Sequence, residues 1–378
     1  MEKVFLIKCD NYKHEEISKA IDKVFEHLGG IENYVKPDMK VLLKANLLMK
    51  RKPDDAVTTH PLVLAEIAKR VVSAGAEVII GDSPGGFYNE EILKGIYSAC
   101  GYKDLEKIDN VKLNYDCSSE DVVFEQGSVA KRLTIIKPAI DSDVMINVPK
   151  LKTHMMMTYT GAVKNLFGLI PGALKAEYHL RLKDDKNFAQ LLVDICECKK
   201  PILSIMDAVM GMEGEGPSAG SPRKIGLIIA STNPYALDVV ASYIIGLKPD
   251  NVPTIISARE RGMSASVKDI QIVGEDVNSF IIKDFKLPES HRDIRFSKNK
   301  IFNFITEYLK PRLIFDNEKC IACKRCADHC PAKAITIEKK QPSVDFNKCI
   351  RCFCCHELCP QKAIGIKKNW ILKRIIKS

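Results

Sequence analysis

Nine of the chain's fourteen cysteines fall between Cys320 and Cys359, and their spacing is regular. Cys320, Cys323, Cys326 and Cys330-Pro331 follow the pattern C-x2-C-x2-C-x3-C-P. Cys349, Cys352, Cys355 and Cys359-Pro360 repeat it 29 residues later. Asp316, Lys319, Ile321, Lys333, Ala334 and Ile335 recur at the same offset as Asp345, Lys348, Ile350, Lys362, Ala363 and Ile364. Self-similarity at a fixed period means one small unit used twice. Thiolates are soft ligands that suit iron–sulfur clusters or zinc. Structural zinc sites, however, usually oppose two separated cysteine pairs rather than crowd three cysteines into seven residues. Three cysteines at two-residue gaps wrap one face of a cuboidal cluster, and the fourth, beside proline, completes the cluster of the other half. The expectation is two 4Fe–4S clusters. Cys320, Cys323, Cys326 and Cys359 hold one; Cys349, Cys352, Cys355 and Cys330 hold the other. Cys354 stands where the first half has Arg325 and is read as a spare buried thiol. Such a module moves electrons.

A second concentration of chemistry lies in residues 149–172, PKLKTHMMMTYTGAVKNLFGLIPG. Lys150, Lys152, His154 and Lys164 are cationic or titratable, Thr153, Thr160 and Asn165 add polar donors, and Gly161 and Gly168 permit close backbone approach. This mixture suits a small carboxylate or phosphate. Other polar groups follow apolar runs elsewhere: Lys44-Ala45-Asn46, Asp82-Ser83-Pro84-Gly85-Gly86, and Asp207 ahead of the loop GMEGEGPSAG. We therefore take His154, Lys150 and Asp207 as candidate catalytic residues, with His154 moving protons. Lys44, Asn46, Asp82, Ser83, Lys152, Thr153, Lys164 and Asn165 are candidate binding residues for a small anionic ligand. Glu213 and Glu215 are read as part of a lid, His179, Cys196 and Cys198 as packing, and Met155, Met156 and Met157 as apolar filling.

These residues need a scaffold. Residues 1–285 alternate short β-branched runs with helical patterns, the mark of an α/β fold: a parallel sheet with crossover helices. Strands are expected at 4–7, 40–44, 77–81, 144–148, 202–207 and 225–230. A helix is expected from Thr59 as cap with Pro61 in its first turn, and another from Asn233-Pro234 to Gly246. In such sheets ligands bind outside the carboxyl ends of the strands. That is where the loops just described must lie. Residues 286–312 read as a linker containing one helix, FNFITEYL; 313–366 form the small α+β cluster domain; 367–378 are a basic tail.

Two resemblances emerge from these motifs. Residues 313–366 resemble the bacterial dicluster ferredoxins, in which short strands like those at 334–337 and 363–366 follow each cluster. GDSPGG, PKLKTH, TGAVKNLFG, DAVMGMEGEGP and LIIASTNPYALD, in that order between residues 40 and 250, resemble the domain-of-unknown-function family 362. That resemblance implies a shared fold and frequent fusion to a C-terminal dicluster ferredoxin, and it implies no particular reaction.

Composition narrows the field. With 46% hydrophobic and 28% charged residues the chain has the make-up of an ordinary globular protein. No apolar run approaches a membrane span, and MEKVFLIKCD lacks the features of a signal peptide. A cytoplasmic location and a soluble redox partner are expected. The net charge of +9 lies partly in the tail KKNWILKRIIKS, which offers peripheral membrane contact. Nothing resembles a nucleic-acid recognition element.

Overall fold

Val41 and Leu43 are buried in one apolar cluster and Leu42 in another, because successive side chains of a strand point to opposite faces. A strand apolar on both sides needs helices on both sides. The computed structural model describes residues 1–288 and 311–367. Strand β1 (Glu2–Lys8) and helix α1 (His14–His27) lead to β2 (Lys40–Lys44), α2 (Pro61–Ser73), β3 (Glu77–Gly81), α3 (Glu90–Ala99) and β4 (Val111–Leu113). A side hairpin, β5 (Ser119–Val123) and β6 (Arg132–Ile136), and the short α4 (Lys137–Asp141) precede β7 (Val144–Asn147), β8 (Lys150–His154) and β9 (Thr158–Thr160). Next come α5 (Ala162–Asn165), α6 (Gly172–Arg181), α7 (Asp185–Cys198), β10 (Leu203–Glu213), β11 (Ser221–Ser231), α8 (Pro234–Ile244), α9 (Pro253–Glu260) and β12 (Ile270–Gly274).

Among the described residues ten strands form one sheet in the order β12-β1-β11-β10-β7-β2-β3-β4, with β8 added to β10 and β9 to β8. The β2–β3, β2–β7, β3–β4, β7–β10, β8–β10 and β1–β12 pairings are parallel. Strand β11 runs antiparallel to both β1 and β10. Helices α1 to α3 cover one face; α7 and α8 cover the other. In α1 the buried residues Ile17, Ala20, Ile21 and Val24 are spaced to make one apolar stripe.

The sheet corrects several expectations. PKLKTH is not a loop: β8 continues β7 after a break at Val148-Pro149. Proline lacks the N–H a ladder needs, and the Pro149 carbonyl instead accepts a 2.9 Å bond from the Asp207 N–H. Strand β10 does not end at Asp207 but runs to Glu213 and carries β8 beyond the other strand ends. Helix α2 is capped by His60, whose Nδ1 accepts from the Leu62 N–H, and not by Thr59. Thr59 instead accepts from the Asn46 N–H and donates to the Val148 carbonyl. The linker helix FNFITEYL and the tail from residue 368 onward lie outside the described residues.

The C-terminal module pairs β13 (Arg312–Phe315) with β16 (Ile364–Lys367) and β14 (Ile335–Glu338) with β15 (Gln341–Val344). One-turn helices Arg325–Asp328 and Cys354–Leu358 follow the cysteine loops. The module rests on the β8–β9 turn and the loop after β10. Met155 is buried with Leu313, Ile335, Phe353, Ile364 and Ile366. The Ser218 hydroxyl donates to the Glu357 carbonyl at 2.8 Å.

Candidate functional site

Each expected cysteine set lines its own small cavity. One is walled by Cys320, Cys323, Cys326 and Cys359 with Phe315, Ile337 and Ile364; the other by Cys330, Cys349, Cys352 and Cys355 with Leu313, Ile335 and Phe353. Cysteine sulfurs around one zinc ion stand roughly 3.8 Å apart. Among the described residues no three Cys, His, Asp or Glu side chains converge to hold a single ion. The Ala334 and Ala363 N–H groups donate to Cys330 Sγ and Cys359 Sγ at 3.3 and 3.2 Å. Such bonds stabilise thiolate charge and help set cluster potential.

Between the module and the carboxyl ends of β2 and β3 lies a cavity of about 350 Å³. Asn46, Asp82, Ser83, Lys152, His154, Thr160, Lys164 and Asn165 line it from the large domain, joined by Lys175, His179, Phe87 and Phe167. Asp328, His329, Cys330, Lys333, Cys354, Glu357 and Leu358 line it from the module. Cys330 thus belongs to both the second cysteine cavity and this one.

Strand alternation places Lys150, Lys152 and His154 on one face of β8. The Lys152 ammonium donates to Asn46 Oδ1 (2.6 Å) and the Val57 carbonyl (2.8 Å). Asn46 donates to Asn165 Oδ1 at 2.8 Å, and Asn165 to Asn147 Oδ1 at 2.8 Å, so a chain of amides ties the strand ends together. Helix α5, which carries Lys164 and Asn165, is pinned by the buried Asp238 carboxylate. That carboxylate accepts from the Ala162 and Val163 N–H groups at 2.6 and 3.0 Å and from the Tyr159 hydroxyl at 3.1 Å. Gly168 must be glycine for a related reason: a Cβ there would collide with Asp82 and Lys44.

Burial, then the like charges of Lys164 and Lys150, lower the Lys152 pKa to about 7. Lys175, half-buried by accessible surface, is likewise lowered to about 7 by burial; it donates to the Ser83 and Pro84 carbonyls. Burial also lowers Lys164, whose ammonium lies 5.6 Å over the Phe167 ring and makes no hydrogen bond or ion pair among the described residues.

His154 Nδ1 accepts from the Met156 and Met157 N–H groups at 3.2 and 3.1 Å, leaving the ring proton on Nε2. Burial lowers its pKa to about 4. At neutral pH the ring is therefore neutral, with its proton on Nε2. Its Nε2 lies 3.1 Å from Glu357 Oε1 without the alignment of a hydrogen bond. Burial pushes Glu357 up, but neighbouring His154, Lys164 and His179 hold it at about 2.

Four sequence candidates do not line the cavity. Lys44 lies beneath it, 2.7 Å from Asp82. Thr153 is on the opposite face of β8 and accepts from the Gly216 N–H. Lys150 and Asp207, taken as catalytic, form a fully buried pair at 2.8 Å. The Tyr12 hydroxyl donates to Asp207 at 2.7 Å and accepts from Lys150 at 2.6 Å, and the His60 N–H donates to Asp207 at 2.9 Å. Glu213 is engaged with Lys286, whose N–H donates to it at 3.1 Å. Conversely, sequence reasoning missed Lys175 and Glu357 and assigned His179 to packing. Lys175 and His179 are four residues apart on α6, one helical face, and Asp328 and Glu357 occupy equivalent places in the two halves of the module. Those were the available signals.

Two family models match separate stretches of the chain. A family model described as a domain of unknown function (DUF362) matches residues 41–243, and one described as a 4Fe-4S dicluster domain matches residues 312–360. A thylakoid-associated protein of Synechocystis sp. is 33% identical over 321 residues, 83% of this chain and 96% of its own length. Among solved structures, the lactate racemase apoprotein from Thermoanaerobacterium thermosaccharolyticum aligns with a TM-score of 0.42 and 12% identity over 65% of this chain and 57% of that one. A Thermotoga maritima protein aligns with a TM-score of 0.36 and 14% identity over 60% and 57%. The chain spans just over half the length of both solved chains. Among the described residues no helix is long and apolar enough to cross a membrane.

Proposed function

This chain belongs to the DUF362 family and is an iron–sulfur electron-transfer protein, and from that premise we propose that it is an oxidoreductase acting on a small anion in the interdomain cavity. The carrying observation is that Cys330 stands in the wall of a cavity into which Lys152, Lys164 and Lys175 also face. Two 4Fe–4S clusters, one on each set of four cysteines, would supply electrons singly. The chain's own groups do the rest. Lys164, which makes no hydrogen bond or ion pair among the described residues, neutralises the anion; Asn46 and Asn165 hold Lys152 in place; Phe87 and Phe167 offer apolar surface to the ligand's body. Lys152 and Lys175, titrating near neutrality, are suited to give up a proton as electrons arrive. Asp328, Glu357 and Leu358 of the module close the cavity from above and limit water.

The test uses anaerobically purified protein with reduced clusters, offered a panel of small carboxylates and phosphates. One of them should speed reoxidation in wild type and fail to do so in Lys164→Gln with unchanged iron content. Clusters that refuse dithionite, or reoxidation indifferent to every compound, would overturn the proposal. Indifference with reducible clusters would favour a carrier or assembly protein without crevice chemistry. Clusters that refuse dithionite would favour a structural role on a non-redox transferase. The Synechocystis relative is named for thylakoid association. We extend that only to peripheral contact through the basic tail of an otherwise cytoplasmic protein.

A further inference from the structure

The two halves of the cluster module share one backbone and differ in side chains. Ala322 and Lys324 adopt left-handed φ values of 52° and 62°; their counterparts Arg351 and Phe353 adopt 56° and 60°. Yet Phe353 is 2% and Cys354 9% exposed, in a half that faces the large domain, whereas Lys324, Cys323 and Ile321 are exposed, Ile321 by 61%. The first half therefore turns its cysteine loop outward. Lys324 and Arg325 border the first cysteine cavity, no carboxylate does, and neither cation has a hydrogen bond or ion pair among the described residues. Lys319 nearby is already neutralised by Asp316 at 2.7 Å. An exposed apolar side chain beside unpaired cations and an exposed ligand thiol has the make-up of an encounter surface: an apolar centre, a charged rim, and a short path to the redox centre.

We propose that the loop of residues 321–325 docks an acidic one-electron carrier protein, so that electrons enter at the Cys320 set and leave through the Cys330 set. One electron leaves the carrier and one enters the module; no bond or proton has to move. This rests on the electron-transfer reading above but not on any crevice ligand, so a failed substrate panel leaves it standing.

The probe is a reduced plant-type 2Fe–2S ferredoxin, mixed with the full, anaerobically loaded protein in a stopped flow. K324E/R325E should lower the second-order rate of module reduction about tenfold or more at low ionic strength, and K324Q/R325Q should fall between it and wild type. The wild-type rate should drop as salt rises. K19E/K23E, the same charge change on the exposed side of α1, should stay within about twofold of wild type. Carbodiimide cross-linking with the oxidised carrier should join Lys324 to one of its carboxylates, a readout independent of turnover. Iron content confirms loading in every variant. Equal slowing in both charge-reversal pairs, a salt-independent rate, or cross-links confined to other lysines would overturn the assignment. So would vesicles of anionic phosphatidylglycerol that compete with the carrier and lose affinity in K324E/R325E, since the face would then serve a membrane.

Discussion

Lys150 and Lys152 stand two residues apart on β8, yet their surroundings give them different work. Lys150 has a carboxylate 2.8 Å away and no route to the cavity. Removing its charge leaves Asp207 buried without its cation, and breaking such pairs costs about 3–5 kcal/mol. Lys150→Met should lower stability by that amount in urea unfolding, and Lys150→Met/Asp207→Leu should recover part of it. A loss below about 1 kcal/mol would mean the pair is solvated in a way its burial denies. Lys152 has only neutral partners and a pKa lowered from 10.5 to about 7. Its ammonium is charged below about 7 and neutral above. Affinity for sulfate, whose own charge is constant here, should therefore fall as pH rises through about 7, with proton uptake on binding above that point. Stability of the ligand-free protein should move the opposite way. The unfolded lysine keeps its proton to about 10.5, so between the two values the unfolded state binds more protons and stability rises with pH. Calorimetric titration and urea midpoints across that window check both signs.

At the scale of elements, the cysteine loops were the most legible part of the chain because all their information is local. Three ligands lie in seven residues, and the fourth is marked by its proline. The expected crossing of that fourth ligand makes an unequal prediction for two similar substitutions. Cys330→Ser should disturb the Cys349 set while sparing the Cys320 set, and Cys359→Ser should do the reverse. Each should lower iron content by about half, with distinct residual paramagnetic spectra. Cys354→Ala should retain full iron. The strands β2 and β3 were equally legible, their ends read correctly from runs such as KVLLK and EVIIG. Strand β8 was not. Its outward signs, a proline before it and a Lys-x-Lys-x-His pattern, are those of a solvated loop. It is a strand because β10 extends past the sheet to pair with it and because amide and carboxylate partners from three other segments accept its cations. None of those partners is near it in sequence. Lys175 and His179 escaped for the same reason: a helix face announces itself by spacing, but which cavity it borders depends on the tertiary packing.

At the scale of the whole molecule, the cavity exists because the module is docked, and the docking is concentrated. Met155, at the turn between β8 and β9, belongs by sequence to the large domain but by packing to the apolar core of the module. Burying a methionine side chain contributes about 1.5–3 kcal/mol, whereas the polar contacts beside it, such as Lys362 to the Gly220 carbonyl at 3.3 Å, each contribute about 1 kcal/mol or less. A charge at position 155 cannot stay in that core without a partner. Met155→Glu should therefore loosen the module from the large domain while each part keeps its own sheet. Small-angle scattering should show a larger radius of gyration. Reduction by an acidic carrier should persist, because the loop of residues 321–325 faces outward in either state. Reoxidation by a crevice ligand should fall steeply, because Cys330 would no longer stand in the wall with Lys152 and Lys164. If both rates fell together, the module would depend on the large domain for its own fold, and the division between electron entry and electron delivery would have to be abandoned.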